Sequence, residues 1–538
     1  MSRKIPRSAA ILALGAALAV GLTTTAGSAG ARSVASAEGG AGELVIAEAA
    51  EQPSLDPHKN VQYLSDEMHA LYDTLVVLLP DGTVGPNLAE SWTVDGQSIT
   101  FTLRQDVAFH DGTPFDAEAV KYNLDRIVDP ATESTNAKAV LGPYESAEVV
   151  DEFTVTVTWS EPFGGAFMAL ANANLSIVSP TAAEAGGFAE HPVGTGPYRF
   201  VEYTIGEELI LEANPDYTSI RTDLENHGRP AYDRVVFRYV DNESTRANLL
   251  TAGEVDIAQL AGPEAQRLSA GGDLNVDIFP SISEHWVVLN ATVITDPAVR
   301  EAIFAAIDRD GIRAAVAGDL GQPNRSALPT LMPGYDPTVA DVQPEFSVET
   351  AGELLDAAGY ELNGDGVRER DGETISFEIL TATGDPWVPI AELVQDQLRQ
   401  VGIETTIKAE EFATVTQTRR AGEQGIYVGR YGINEPASQM LILFSCDTIP
   451  SADNPQGTNL TFNCNEELDA VLNEASQELD AEVRNGLLSE AQHLLAADFT
   501  SITLYESQIG VFSSQDIAGI GMQPDGILKI NDVHPADD

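Results

Sequence analysis

Few residues of this 538-residue chain could carry chemistry, and none stands at a spacing that commits it. The eight histidines (His58, His69, His110, His191, His227, His285, His493 and His534) are scattered. No HExxH pair offers to hold zinc, and no GxSxG turn raises a serine nucleophile. Carboxylates are so abundant that counting cannot single out an acid–base pair. Gly194 and Gly196 could suggest a phosphate loop, but the third glycine is missing and alternating strand residues follow where a helix should open. The two glycines are better read as serving a tight backbone turn. The run from Asn363 to Gly366, followed by Arg370-Asp371-Gly372, lacks the twelve-residue ligand set and closing glutamate of a calcium loop. It reads as a connection between helix and strand. No catalytic residue, cofactor or resident metal is therefore expected.

The N-terminus sets the compartment. Arg3, Lys4 and Arg7 precede the apolar run Ala9–Leu22, and Ala29-Gly30-Ala31 offers a small-residue cleavage site. Residues 1–31 thus read as a secretory signal, with 32–42 a disordered lead-in. No cysteine lies nearby to take a lipid anchor, and no second apolar run approaches spanning length. In an exported chain the pair Cys446 and Cys464 favours a disulfide worth about 3 kcal/mol. A metal or redox site is the alternative, but it would want a CxxC or a nearby histidine. The net charge of −54 repels phosphates and argues against nucleic acid as a partner. Such a charge reads first as a solvated acidic surface. If it reflects a saline habitat, the melting temperature should rise markedly with added salt, and a flat response would remove the idea.

At this length the chain divides into about two to four domains. The best-specified unit is Leu88–Ile127. Ile99, Phe101 and Leu103 alternate with polar residues, as a half-buried strand requires. Asp95-Gly96 and Asp111-Gly112 punctuate it as turns. Asp116 stands at a helix N-cap, ahead of Val120, Leu124 and Ile127 on one apolar face. Met68, Leu71, Leu75 and Leu78 suggest another helical face. Phe153–Trp159 alternates as a strand, and Pro297–Val316 reads as one helix. Later, Ile375–Leu380, Ile390–Val401 and Ile403–Ile407 give a strand–helix–strand rhythm, which argues for a mixed α/β lobe.

Pro86–Trp92 and Phe101–Pro114 carry the elements P-x-LA-x-x-W and F-x-LR-x-x-V-x-F-x-DG-x-P. In this they resemble the extracellular solute-binding proteins of ABC importers, in the family that takes oligopeptides, dipeptides and nickel. Ser54–His58, Pro192–Tyr217, Arg246–Leu260 and Pro297–Val316 continue the resemblance in unbroken order over nearly all the mature chain. The resemblance implies an α/β fold of the periplasmic-binding-protein type, two mixed lobes joined by a hinge with an extra subdomain in the first. It places the first lobe at 43–72, 181–283 and 508–538, the subdomain at 73–180 and the second lobe at 284–507. A ligand would close the lobes by a hinge motion.

The resemblance also implies a site. In oligopeptide binders a stretch like G-W-x-A-D-Y-x-x-P lines the cleft, and its Asp pairs with the peptide ammonium. The corresponding run here is 429–436, with Gly429, Arg430, Tyr431 and Glu435. Arg430 replaces the Trp, the run is one residue short, and no Asp remains. Either Glu435 supplies the anion or the ligand has no free ammonium there, and the second is favoured. Arg430 would prefer a carboxylate or other planar anion. Tyr63, Trp286, Trp387, Phe412 and Tyr427 fall at or near positions that line the cleft in relatives, with ordinary core packing as the alternative for each aromatic. His58 is more readily a turn residue than a ligand. The expected protein is an exported, non-enzymatic, monomeric substrate-binding component. It would hold a peptide or similar small solute for a permease and ATPase complex. A secreted hydrolase, or a ligand sensor on the same lobes, is the alternative.

Overall fold

The computed structural model describes residues 41–60, 66–80, 82–384, 386–433 and 435–536. The expected signal, residues 32–40 of the lead-in and Tyr63 lie outside the described residues; the last two lead-in residues are already tied to the first lobe, Ala41 N donating to Ala231 O and Gly42 O accepting from Arg234 N. One mixed sheet runs through the molecule. Its strand order is Glu404–Glu410, Ser376–Ala382, Ile426–Gly432, Asn275–Leu289, Ser501–Ser513, Ile257–Leu260, Glu43–Glu48, Arg234–Tyr239, Glu208–Ala213 and Tyr198–Thr204, with Gly321–Gln322 paired to Ser501–Ser513. Two of these strands are long enough to serve both lobes. The N-terminal half of Asn275–Leu289 pairs with 508–513, and its C-terminal half pairs with 501–506 and with Ile426–Gly432. Between the halves the register shifts. Pro280 faces Gln508 and Glu284 faces Glu506, so three residues stand opposite one in a bulge at the hinge.

Each lobe buries both faces of its part of the sheet. In the second lobe Val287, Val428 and Ile502 pack with Ile303, Leu355 and Val394 from helices on one side. Trp286, Tyr427 and Tyr431 pack with Met440, Leu472 and Leu488 from helices on the other. In the first lobe Leu44, Ile46 and Phe237 lie on one face, and Val45, Ala47 and Val236 on the other. The subdomain has its own sheet, in the order Ala89–Asp95, Ser98–Leu103, Thr154–Trp159 and Tyr144–Asp151, covered by helix Ala117–Val128. Asp116 caps that helix by accepting from Ala119 N at 2.9 Å. Cys446 and Cys464 form a disulfide.

Local readings differ from the structure where polar side chains cut an apolar period. The Met68 helix is Asp66–Leu71, and Val76–Leu78 is already strand. Between them Asp73 turns inward and accepts from Thr195 Oγ1 at 2.9 Å. Pro297–Val316 is two helices, Pro297–Ala306 and Arg309–Val316, because Asp308 accepts from Gly311 N and starts the second. The 363–372 stretch belongs to a small three-stranded sheet of Glu361–Leu362, Arg368–Arg370 and Glu373–Thr374. Gly194 and Gly196 are needed for closeness rather than for a turn. A Cβ at Gly196 would stand 2.5 Å from Leu71 C. His58 is fully buried against Ser176 O and hydrogen-bonded to Arg126, which also grips Asp56, so it ties the first lobe to the subdomain helix.

Candidate functional site

The strand directions place the cleft. Glu43–Glu48 runs parallel to Ile257–Leu260, whose last residue pairs with Gly510, close to the hinge. Ile426–Gly432 ends at Ser283, on the hinge from the other side. The carboxyl ends of the parallel strands of both lobes therefore face each other, and ligands of open α/β sheets bind at such ends.

On the second lobe three adjacent strands line up Arg430, His285 and Tyr505, since His285 is the cross-strand partner of both others. The His285 ring stacks on Tyr505 at 4.4 Å between centroids and lies 5.3 Å from Trp387. Ser507 Oγ is 3.1 Å from His285 Nδ1. Burial, together with the charge of Arg430, pushes the His285 pKa down to about 3, so the ring is neutral at physiological pH. Arg430 is then the local cation. Its pKa is lowered by burial, although its side chain is reached by solvent, as suits a guanidinium at a cleft edge. Among the described residues no carboxylate pairs with it.

On the first lobe the facing edge is acidic. Glu48 ends its strand beside Tyr239, and Asp66 and Glu67 open the next helix. Leu528 N donates to Asp66 at 2.8 Å, and Gln52 Nε2 donates to Glu67 at 3.2 Å. Tyr203 OH and Gly206 N donate to Glu51. Burial raises the pKa of Glu48 well above the usual carboxylate range and that of Asp66 to about 6, and the two carboxyls share a hydrogen bond. At the hinge itself Glu284 and Glu506 are both fully buried. Tyr431 OH and Asn324 donate to Glu284, and Thr330 donates to Glu506 through its N–H and hydroxyl.

The residues expected to line the cleft fall into three groups. Arg430 and Trp387 are linked through His285, with Trp387 at the first turn of helix Trp387–Gln400 rather than in a loop before it and also packed on the second-lobe core. Trp286, Tyr427 and Tyr431 lie on the opposite face of the same strands, 2–9% exposed under the second-lobe helices. Strand alternation sends them there: a strand that points Arg430 one way points Tyr431 the other. Gly429 belongs to that face too, where a Cβ would stand 2.5 Å from the Tyr427 ring. Phe412 is 66% exposed at the start of a surface helix. Glu435 is occupied: its carboxylate caps helix Pro436–Phe444 by accepting from Ser438 N at 2.6 Å. His285 and Tyr505 escaped the sequence reading. Their signal is polar and aromatic residues at the register of Arg430, and register is visible only once the strands are paired.

The sequence matches the model of the bacterial extracellular solute-binding proteins, family 5, over residues 83–451. The chain belongs to this family. It is similar to the glutathione-binding protein GsiB of Salmonella typhimurium, 29% identical over 512 residues, covering 91% of this chain and 94% of that protein. Among solved structures it is similar to NikA from Brucella suis, determined with Fe(III)-EDTA, with a TM-score of 0.80, 25% identity and coverage of 92% of this chain and 100% of that one. It is also similar to DppA from Helicobacter pylori, determined with the peptide STSA, with a TM-score of 0.71, 25% identity and coverage of 93% and 99%. This family-5 protein is the substrate-binding component of an ABC importer. No helix among the described residues is long and apolar enough to cross a membrane.

Proposed function

We propose that this protein captures a small peptide-like solute carrying a carboxylate, and that Arg430 anchors that carboxylate. The single observation behind the reading is an arginine without a partner among the described residues, at the cleft edge of a chain with a net charge of −54. Among the described residues Arg246, Arg300, Arg309, Arg419, Arg420 and Arg484 also lack a carboxylate ion pair, but each donates to a backbone or neutral side-chain oxygen instead. Trp387, His285 and Tyr505 give the ligand a planar, uncharged floor beside the guanidinium. Glu435 is fixed at the start of the following helix by accepting from Ser438 N, and we take the second-lobe end of the ligand to be its acidic end. Glutathione, named for one relative, bears two carboxylates and is the first probe to try. The capture is non-catalytic. The chain's 1–31 segment serves as an export signal, and the protein works as a monomer that delivers its solute to a permease and ATPase pair.

The test is calorimetry of the purified protein with glutathione and a panel of di- and tripeptides, each also as its C-terminal amide. Arg430→Ala is expected to weaken the carboxylate form about a hundredfold and the amide form far less. Equal loss for acid and amide would sink the assignment of Arg430.

A further inference from the structure

We propose that loop 162–165 of the subdomain is a clasp that holds the two lobes closed. The inference rests on the solute-binding reading of the cleft, but the observations lie outside that cleft. Gly164 N donates to Ser476 O at 2.8 Å, and Arg484 Nη1 donates to Gly164 O. Both backbone polar groups of one subdomain residue are thus satisfied by the second lobe. Ser476 O is among the last four carbonyls of helix Glu466–Gln477, which have no partner within the helix, so the loop supplies its missing donor. Arg484 stands in the first turn of the next helix, Ala481–Ala497. The loop therefore seats at the corner between two helices.

The seat admits only glycine. A Cβ at Gly164 would overlap Glu478 O and stand 3.2 Å from Arg484 Nη1 and 3.3 Å from Ala475 O. A Cβ at Gly165 would stand 2.7 Å from Glu435 Cγ. Neither glycine has a left-handed backbone, so what the position requires is small size. Just beyond, Met168 packs against the second-lobe core. Glu435 connects the clasp to the ligand site. It ends the run that carries Arg430, five residues away, within about 17 Å along an extended chain. The loop can seat fully only when that run has come up against the subdomain.

Spin labels at Glu145→Cys in the subdomain and Glu490→Cys in the second lobe read the separation directly, because the two native cysteines are paired and take no label. The ligand-free wild type is expected to show a short-distance population. Gly164→Ala and Arg484→Ala should each cut its ratio to the long-distance population about tenfold, the weight of a charge-assisted hydrogen bond. Gly486→Ala, in the same helix with open space around it, should leave the ratio unchanged. Arg484→Ala adds no atoms, so it folds and reports even where Gly164→Ala does not. Distance distributions identical to wild type in both variants would overturn the clasp. Glutathione titration separates this from the ligand reading. Variants that open in a protein that binds no carboxylate support the clasp and remove the role of Arg430. A wild type that binds glutathione while both variants close as it does overturns the clasp alone.

Discussion

The two carboxyl edges that face each other across the hinge are built from one sheet yet differ in chemistry beside it. The first-lobe edge gathers Glu48, Glu51, Asp66 and Glu67, and burial keeps a proton on the Glu48–Asp66 pair. The second-lobe edge sets one arginine beside a histidine held neutral. The difference is one of preorganisation. Acids crowded at a buried edge lower their cost by sharing protons and accepting backbone donors. A guanidinium with no carboxylate partner among the described residues has no such recourse, which is why we propose that a ligand neutralises it.

The harshest way to break this contrast is to make both edges acidic. Arg430→Glu should cost more than a hundredfold in affinity for a carboxylate ligand by calorimetry. The unliganded melting point should hardly move, since no described carboxylate loses a partner. The next perturbation acts on the other edge. Below about pH 4 Asp66 is protonated in folded and unfolded chains alike. As pH rises towards 6 the unfolded chain releases a proton that the folded chain keeps, so stability falls through that window. Asp66→Asn should remove this fall, adding about 3 kcal/mol at pH 7 and little at pH 4 in denaturant titrations. An equal gain at both pH values would show that the side chain acts through packing and not through charge. The mildest change sharpens the second edge. Trp387→Leu should weaken ligand about fivefold, the worth of an aromatic contact beyond its area, with Arg430 in place. A loss as large as that of Arg430→Ala would make the stacking surface the anchor and the guanidinium its accessory.

Much of the fold was legible because local chemistry and global order agree in it. Asp116 caps where a cap belongs, and helix Trp387–Gln400 stops just before a glycine, Gly402, at a φ of 82°. The two-lobed class followed from ordered motifs. What failed were continuous periods broken by single polar groups: Asp73, which turns inward, and Asp308, which caps a new helix. The site was less legible. Arg430 could be found from its run alone, but its neighbours come from three other segments. Alternation along Ile426–Gly432 put Tyr427 and Tyr431 into the core, and a motif alignment carries no information about strand face. The role of Glu435 was likewise open until its carboxylate was seen capping the helix that follows.

The bulge at the hinge has a mechanical consequence. Its extra residues are not slack on both sides. Ser283 is laddered to Gly432, and Ile433 N donates to Ile282 O at 3.0 Å. The pivot is thus stitched to the tail of the strand that presents Arg430. With Arg430 as the proposed anchor, a pull on that guanidinium would reach the pivot through two or three residues of backbone. The solute would turn the lever it sits on.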